Sequence, residues 1–309
     1  MTRETPDWRP SATLETLKAR AELYGSVRAF FSARGLLEVQ TPLLSAHATV
    51  DRHIESFRSG SLWLHTSPEF AMKRLLAAGL GAIWQMGPVF RREEAGRHHN
   101  PEFTLLEWYR PGWDHHRLMD EVADLLAALG VPAQPARLSY RDAFVRHAGL
   151  DPFTASLETL RARANLAGHE SEHERDFWLD VLMAHVVGPQ LGRDAPQFLY
   201  DFPASQAALA RVRGDVAERF ELFWNGIELA NGFHELTDAA EQEARFRADQ
   251  AWRRAQGRDV PPYDANLIAA LHAGMPASAG VAVGIDRLLM LKLKLPDIAS
   301  TFAFSNTRA

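Results

Sequence analysis

Side chains that could bind a phosphorylated ligand are concentrated between positions 90 and 109. An apolar run at 83–90 leads into a polar segment, and an aromatic, strand-like pattern resumes at 103, which predicts two antiparallel strands joined by a long loop. Arg91 and Glu93, two residues apart on the first strand, would share a face and offer a guanidinium for a phosphate beside an acceptor for an amino group. The period of two puts four residues on one face of the second strand: Phe103, Leu105, Glu107 and Tyr109. A charged hairpin with a solvated tip would show the same pattern.

Two carboxylates further along the chain could hold a metal ion. Asn225-Gly226 between two apolar strands is typical of a two-residue type I′ hairpin turn. In that register Phe223 faces Glu228, and Glu221 becomes a diagonal neighbour of Glu228, with Cβ atoms roughly 7–8 Å apart or less. Long carboxylate side chains can close this distance onto a hard cation such as Mg²⁺. Two solvated surface charges are the alternative.

The second strand of this hairpin carries further polar residues. The same register pairs Glu221 with Ala230, so strict alternation sends Asn231 and Glu235 to the opposite face of the hairpin. They can join the carboxylate pair only if the strand bulges or ends near Asn231-Gly232, which the glycine permits.

A third candidate site lies near the C-terminus. The stretch 277–291 predicts a strand of small residues that turns into a helix near Ile285. Glycines such as Gly284 let the backbone approach a nucleotide closely. A helix N-terminus with Arg287 in its first turn is a site for anions.

Elements predicted from hydrophobic periodicity would position these residues. Helices are expected at 11–34, with Gly35 as the stop signal, and at 118–129, 139–147, 157–166 and 177–187. Extended segments are expected at 36–44 and 61–66. Another helix is expected to start at Ser67-Pro68-Glu69, with Ser67 as a natural N-cap, Pro68 as the first helical residue and Glu69 in the first turn. We therefore expect a single domain over 1–309 with a helical insertion at about 112–200.

Composition restricts the class of protein. With 309 residues, 46% apolar and 24% charged, the chain is long enough to bury a large core. The absence of cysteine excludes disulfides, thiolate nucleophiles and zinc–thiolate sites. We see no signal peptide and no apolar run of membrane-spanning length, and we expect a cytoplasmic protein with no membrane partner. A net charge of −5 argues against a broad electrostatic surface for nucleic acid.

Most histidines show no metal-ligand clustering in the sequence. We expect surface or capping roles for His98, His115, His116, His147, His169, His173 and His185. His99 is set apart because it lies within the polar loop after position 90.

Three separated stretches resemble the class II aminoacyl-tRNA synthetases. Phe90-Arg91-x-Glu93, a loop and His99 to Phe103 are similar to motif 2, and the Asn-Pro-Glu-Phe-Thr run at 100–104 resembles the lysyl branch. A helix, a glycine and Glu-Val-x-Thr-Pro at 38–42 resemble motif 1, which in the family forms much of a dimer interface. The segment 280–287 resembles motif 3. The resemblance implies an α+β fold, with a mixed and mostly antiparallel sheet flanked by helices, and a homodimer.

The resemblance also implies roles in ATP binding. Arg91 corresponds to the residue on the α-phosphate and Arg287 to that on the γ-phosphate, which makes these two the catalytic pair because positioning and electrostatics drive this chemistry. The remaining implied nucleotide residues are Glu93 near the adenine amino group, His99 and Asn100 in the loop, Phe103 stacked on adenine, Glu228 and Leu229, and Gly284 behind the adenosine.

By the same resemblance, the chain binds magnesium and a cationic amino acid. Counterparts of Glu221 and Glu228 hold Mg²⁺. Counterparts of Asn231 and Glu235, in the run Glu-Leu-Ala-Asn-Gly-Phe-x-Glu-Leu, meet the amino acid. The implied lysine-binding set is Ser67, Glu69, Tyr109, Asn231, Glu235 and Ala282. Carboxylates in such a pocket favour lysine or a close isomer over an acidic substrate.

Two departures from the lysyl-tRNA synthetase pattern concern the acceptor and the substrate. Glu38 arrives after only 37 residues, which leaves no room for the OB-fold anticodon domain that precedes motif 1 in that family. Ala282 replaces a glycine and adds a methyl group, which could favour an isomer with a shifted amino group. With these features the chain resembles the elongation factor P lysine ligases over nearly its full length. That resemblance implies transfer of lysine or (R)-β-lysine from an acyl-adenylate to a lysine side chain of elongation factor P, with tRNA an unlikely partner.

Two other functions remain open from the sequence. A truncated synthetase paralogue would acylate tRNA, which the missing domain and the negative charge disfavour. A non-catalytic regulatory paralogue would bind a partner without chemistry. The phosphate and metal residues count against it, since a dead site need not retain Arg91, Glu93, Glu221, Glu228 and Arg287.

Overall fold

The structure, a computed structural model, describes residues 8–131, 134–166, 168–169 and 174–309. Its α-helices are α1 (Leu14–Ala33), α2 (Glu69–Ala77), α3 (His115–Ala128), α4 (Tyr140–Ala148), α5 (Leu157–Ala164), α6 (Arg175–Leu182), α7 (Ala239–Ala255), α8 (Ala265–Gly274) and α9 (Ile285–Lys292). Its strands are β1 (Leu37–Glu38), β2 (Leu44–Ser45), β3 (Arg58–Ser59), β4 (Leu62–Leu64), β5 (Ile83–Phe90), β6 (Glu102–Pro111), β7 (Ala136–Ser139), β8 (Gln197–Pro203), β9 (Val212–Arg213), β10 (Val216–Trp224), β11 (Ile227–His234) and β12 (Ser278–Gly284).

The chain divides into two compact units. The first contains the residues up to Trp108 together with Asp238–Met275 and Gly284–Ala309, and the second contains Tyr109–Thr237 and Pro276–Val283. Each is described separately.

The first unit has a sheet with strands in the order β1-β5-β6 and a small antiparallel sheet in the order β2-β4-β3. β1 and β5 run parallel. Thr13 begins α1 by accepting a hydrogen bond from the backbone N–H of Thr16, the N-cap geometry expected of a threonine. Phe31 of α1 stacks on Trp84 with ring centroids 5.0 Å apart and lies 5.1 Å from the ring of Trp108. These aromatic contacts pack α1 against β5 and β6.

The second unit has strands in the order β12-β11-β10-β8-β7, with β9 beside β10. The pairs among β8, β10, β11 and β12 are antiparallel, whereas β7 and β8 are parallel. Helices α4, α5 and α6 cover a buried cluster in which Tyr140 stacks on Phe144 at 4.5 Å and which includes Trp178 and Leu199. The predicted mixed, mostly antiparallel sheet flanked by helices is confirmed.

The ends of most predicted helices agree with the structure to within one helical turn. This agreement is expected because capping residues and terminal glycines act on neighbouring residues. Gly35, with a φ of 69°, follows the end of α1. Ser139 caps α4 by accepting the N–H of Asp142. The predicted helix at 177–187 is α6 followed by a π-helical turn at Met183–Val187. Within 112–200 the strand β7 and the start of β8 were not predicted. The single domain with an insertion stays a prediction. Pro132, which follows the helix predicted at 118–129, and His173 lie outside the described residues.

Across the described residues, no helix combines the length and the apolar character needed to span a membrane.

Candidate active site

In the first unit, Arg91 follows directly after β5. The strand ends at Phe90, so the expectation that Arg91 and Glu93 share a strand face is wrong. The chain turns away at this point, and the Glu93 side chain is 64% exposed beside Arg92. The guanidinium of Arg91 lies over the Phe103 ring, 5.1 Å from its centroid, and donates to Glu94 Oε1 at 3.2 Å. The structure therefore brings together the expected phosphate-binding arginine and the expected adenine-stacking aromatic residue.

Arg287 contacts the loop between β5 and β6. Its Nη2 lies 2.5 Å from His99 Nε2, and its Nε donates to the backbone carbonyl of His98 at 3.1 Å. Asn100 is buried and donates to the carbonyl of Glu102 at 2.6 Å. His99 is thus placed beside a candidate phosphate ligand, whereas the Asn100 amide holds the shape of the loop.

The helix that carries Arg287 is fixed by its neighbour in the sequence. Gly284 is the N-cap of α9, as predicted for the turn from strand to helix. Asp286 is buried, accepts the Thr104 N–H at 2.6 Å and forms an ion pair of 2.5 Å with Arg20 of α1. Burial raises the pKa of Asp286, and Arg20 acts in the opposite direction. Asp286 therefore joins α9 to α1 and β6, which orients Arg287.

Ser67 and Glu69 already have partners within the first unit. The Ser67 hydroxyl donates to Glu107 Oε2 at 2.8 Å and accepts the Glu69 N–H at 3.0 Å. The helix begins at Glu69 with Pro68 as its formal cap, one residue later than predicted. Lys73, on the next turn, donates to Glu69 Oε1 at 2.6 Å. The Glu69 carboxylate thus binds an ammonium group of the same chain.

In the second unit, the hairpin turn is as predicted but the register is not. Asn225 and Gly226 have φ angles of 52° and 73°, and Phe223 faces Glu228. The register then shifts, so Glu221 faces Asn231 instead of Ala230. Leu229 is the extra residue, and it lies earlier than the expected bulge at Asn231-Gly232.

This bulge brings Asn231 onto the face of the carboxylate pair. Because directly opposed residues share a face, Asn231 lies beside Glu221. Arg219 bonds to both, with its Nη2 2.5 Å from Glu221 Oε1 and its Nε 3.2 Å from Asn231 Oδ1. From Asn231 to the end of β11 the pairing is regular, and the same alternation continued one residue past His234 puts Glu235 on this face.

Glu221 combines burial with two opposed charges. Burial raises its pKa to about 8, Arg219 counteracts this shift and the nearby Glu228 carboxylate adds to it. Two neighbouring carboxylates supply the hard oxygen donors that Mg²⁺ prefers. The donor set of Glu221 and Glu228 therefore fits magnesium, and the ion would replace the proton that burial favours.

Glu235 and Tyr109 meet around Gly280. Both are 2% exposed, and a Cβ built on Gly280 would lie 2.2 Å from Tyr109 Cε1 and 2.5 Å from Glu235 Oε1. Ala282, two residues further along β12, pairs with Asn231. In the second unit the structure thus groups four of the predicted lysine-binding residues: Tyr109, Asn231, Glu235 and Ala282.

A family model confirms the fold assignment made from these motifs. The model of the class II tRNA synthetases (D, K and N) matches residues 1–308. The chain belongs to the class II tRNA synthetases. Synthetase-like relatives named "Elongation factor P--(R)-beta-lysine ligase" occur in Enterobacter sp. (strain 638), Hamiltonella defensa and Salmonella typhi, each 48% identical to this chain, with 99% of both sequences covered.

Two residues that contact candidate site residues, one in each unit, were not predicted from the sequence. Glu94 is the carboxylate that contacts Arg91, and Arg219 joins Glu221 to Asn231. Arg219 could have been found, because Arg-x-Glu on a strand places both charges on one face. Glu94 could not, because its contact depends on the turn that follows β5.

Proposed function

We propose that this chain is an ATP-dependent ligase that activates lysine or (R)-β-lysine as an acyl-adenylate and transfers it to a lysine side chain of elongation factor P. AMP and pyrophosphate are the other products. The observation that carries the proposal is 48% identity to ligases of that name over 99% of both chains. We further propose a cytoplasmic homodimer.

The residues of the first unit serve the nucleotide. Arg91 and Arg287 supply fixed positive charge for the α- and γ-phosphates, which lowers the barrier as charge shifts towards pyrophosphate. Phe103 stacks on the adenine, and Glu93 accepts from its amino group. His99 and Asn100 shape the loop, and Gly284 lies behind the adenosine. No covalent protein intermediate is needed, since alignment of the reacting groups suffices.

In the second unit, Glu221 and Glu228 hold Mg²⁺, and Glu228 and Leu229 serve the nucleotide. A bound Mg²⁺ neutralises phosphate charge. Ionisation of Glu221 is the protein's own contribution, because only the carboxylate form is a metal ligand. Arg219 assists by stabilising that form.

The substrate ammonium group binds to carboxylates. Glu235, buried beside Tyr109, supplies the negative charge, and Asn231 is a polar partner. Ser67 and Glu69 complete the proposed set, although Glu69 must share its charge between Lys73 and the substrate. The methyl group of Ala282 occupies space beside Asn231. It favours the lysine isomer whose amino group is shifted along the carbon chain of the substrate.

The two rival functions differ in the acceptor. A tRNA-acylating paralogue would charge tRNA, and a non-catalytic paralogue would modify nothing. Against the first, the relatives matched over 99% of their length are named for a protein acceptor. Against the second, the chain retains the charged residues proposed for the nucleotide in the first unit and those proposed for magnesium and the amino acid in the second.

The deciding experiment is incubation with ATP, Mg²⁺, each lysine isomer and either purified elongation factor P or tRNA, read by intact mass. We expect a mass gain on the factor equal to one acyl group. Glu235→Gln should abolish it, and Glu241→Gln, on the exposed part of α7, should not. Gain on tRNA alone would establish the first rival, and no gain on either acceptor would support the second.

A further inference from the structure

A cluster of metal-binding side chains lies in the second unit, apart from the carboxylate pair. His115, Glu218 and His234 each offer a ligand atom, and these atoms all lie within 4.8 Å of one another. The three residues come from the first turn of α3, from β10 and from the end of β11. Periodicity and motifs did not indicate this cluster, because His115 is more than a hundred positions away from both Glu218 and His234.

The buried imidazole of His115 has no hydrogen bond that would explain its position. The residue is 2% exposed, and neither Nδ1 nor Nε2 makes a hydrogen bond in the structure. Nε2 lies 3.5 Å from Asp201 Oδ1. A buried polar group without a hydrogen bond costs about 1–3 kcal/mol, and such groups in native proteins are typically explained by a water or an ion. His115 therefore points to a ligand in a way that a cluster of exposed acids would not.

The other two ligands are preassembled by the sheet. His234 Nδ1 lies 2.6 Å from Glu218 Oε2. Near this point β10 has two residues, Glu218 and Arg219, opposite Asp201 on β8, and Asp201 has a positive φ of 61°. Bulges of this kind re-aim side chains next to functional sites. Glu218 and Arg219 point to opposite faces of β10, so Arg219 contacts Glu221 while Glu218 contacts His234.

This cluster is distinct from the proposed magnesium site. His234 is three residues beyond Asn231 on a regular stretch of β11, so the two side chains point to opposite faces of the sheet. An ion bound to His234 would lie between α3 and the strands, away from Glu221 and Glu228.

The surrounding charges permit a cation. The guanidinium Nε atoms of Arg211 and Arg213 lie 3.5 and 3.4 Å from Glu218. Both arginines are largely exposed, at 52% and 71%, and can turn to solvent. The carboxylates of Asp201 and Asp114 add negative charge near the histidines.

We propose that His115, Glu218 and His234 bind a divalent transition-metal ion of the Zn²⁺ type. Two imidazoles and one carboxylate are a known ligand set for zinc, with the fourth position open to water. Mg²⁺ is disfavoured because it prefers oxygen ligands. The ion ties the first turn of α3 to β10 and β11 and gives His115 a partner.

The test uses the full chain without an affinity tag, with excess Mg²⁺ to occupy the carboxylate site. Calorimetric titration with Zn²⁺ measures affinity and stoichiometry, and Co²⁺ absorption reports nitrogen ligation. We expect one ion per chain. His115→Asn and Glu218→Gln should each weaken binding by at least about tenfold, and His272→Asn, at an exposed position of α8, should not.

A second triad sharing His115 provides the sharpest comparison. His115, His116 and Asp201 also have ligand atoms within 4.8 Å of one another. Retained binding in His116→Asn with loss in Glu218→Gln supports the proposed set, and the reverse overturns it. Circular dichroism of each variant checks folding. Unchanged binding in His115→Asn, or no Zn²⁺ binding by the folded parent chain, would also overturn the proposal and leave a water as the partner of His115.

Discussion

The guanidinium of Arg219 lies 2.5 Å from the carboxylate of Glu221, and this contact governs the protonation of the proposed magnesium ligand. Burial raises the pKa of Glu221 to about 8, Arg219 opposes that shift, and Glu228 increases it. A proton on Glu221 therefore competes with a metal ion near neutral pH.

We predict that Glu221 makes the magnesium-free chain less stable as the pH rises. Between pH 4.5 and about 8 this group is ionised in the unfolded chain but protonated in the folded chain. The folded state then binds the extra proton, so the free energy of unfolding falls across this window. The loss should be on the order of 2–4 kcal/mol. Urea unfolding of the parent chain and of Glu221→Gln, at pH 5 and pH 8 without Mg²⁺, measures this loss. The free energy of unfolding should fall more between the two pH values in the parent chain than in the variant.

The same proton is predicted to couple to magnesium. Mg²⁺ affinity should rise with pH up to about 8, because the ion competes with the proton for one carboxylate. Calorimetry in buffers of different ionisation enthalpy should detect proton release near pH 7. Glu241→Gln serves as the control. Equal pH dependence in Glu221→Gln and in the parent chain would contradict both predictions.

Arg219→Met is predicted to shift the pH dependence of magnesium binding to higher pH. The guanidinium opposes the effect of burial, so the pKa of Glu221 should rise further without it. Magnesium-dependent activity at pH 7 should fall by about tenfold or more, since one pKa unit corresponds to about 1.4 kcal/mol, and recover partly at alkaline pH. Arg213→Met, at a 71% exposed position, should leave the profile unchanged. A uniform loss at every pH would instead indicate a purely structural role for Arg219.

The hairpin shows how far the sequence predicts this site. Asn225-Gly226 fixes the turn locally, and the pairs next to the turn are correct. Beyond them, the extra residue Leu229 moves Asn231 to the face of Glu221. A bulge at a buried leucine is decided by packing against neighbouring strands, which residue periodicity does not contain. The sequence could only say that a bulge was needed for Asn231 to join the site.

Contacts between residues far apart in the sequence also could not be predicted elsewhere in the molecule. The resemblance to motif 2 and motif 3 singled out Arg91 and Arg287, which lie in the same unit, but it did not indicate the side chains that contact them. Local capping signals predicted the helices, including α4 from Ser139. The ion pair between Lys73 and Glu69 spans one helical turn and was recognisable in principle, since positions i and i+4 are neighbours on a helix.

Gly280→Ala is predicted to impair lysine binding. The new Cβ would come within 2.2 Å of the Tyr109 ring and 2.5 Å of Glu235, so one of these buried side chains must move. Overpacking of this kind costs about 1–3 kcal/mol of stability. The KM for lysine in ATP–pyrophosphate exchange should rise more than the KM for ATP.

The matched control is Gly25→Ala in α1. A Cβ at Gly25 meets nothing within 4 Å, and alanine in a helix interior stabilises by about 0.5–1 kcal/mol relative to glycine. Thermal unfolding should therefore shift in opposite directions for the two variants. An unchanged KM for lysine in Gly280→Ala would place the amino-acid pocket elsewhere.

Arg20→Met is predicted to be strongly destabilising, because it leaves Asp286 buried without its cation. Arg20 and Asp286 form an ion pair of 2.5 Å in which the aspartate side chain is 1% exposed. Removing one partner of such a pair costs about 3–5 kcal/mol. Asp286→Asn should cost less, because the amide oxygen can still accept the Thr104 N–H. Urea unfolding of each variant and of the double variant measures the coupling, and the double variant should cost less than the two single changes together.

Arg28→Met on the same helix is the matched control for this ion pair. Its guanidinium lies 3.3 Å from Glu38, but both side chains are about half exposed, and exposed pairs contribute about 0–1 kcal/mol. Because Asp286 precedes Arg287, loosening α9 should also raise the KM for ATP in Arg20→Met but not in Arg28→Met. If both variants lost the same small amount of stability, the burial of Asp286 would not be what makes Arg20 necessary.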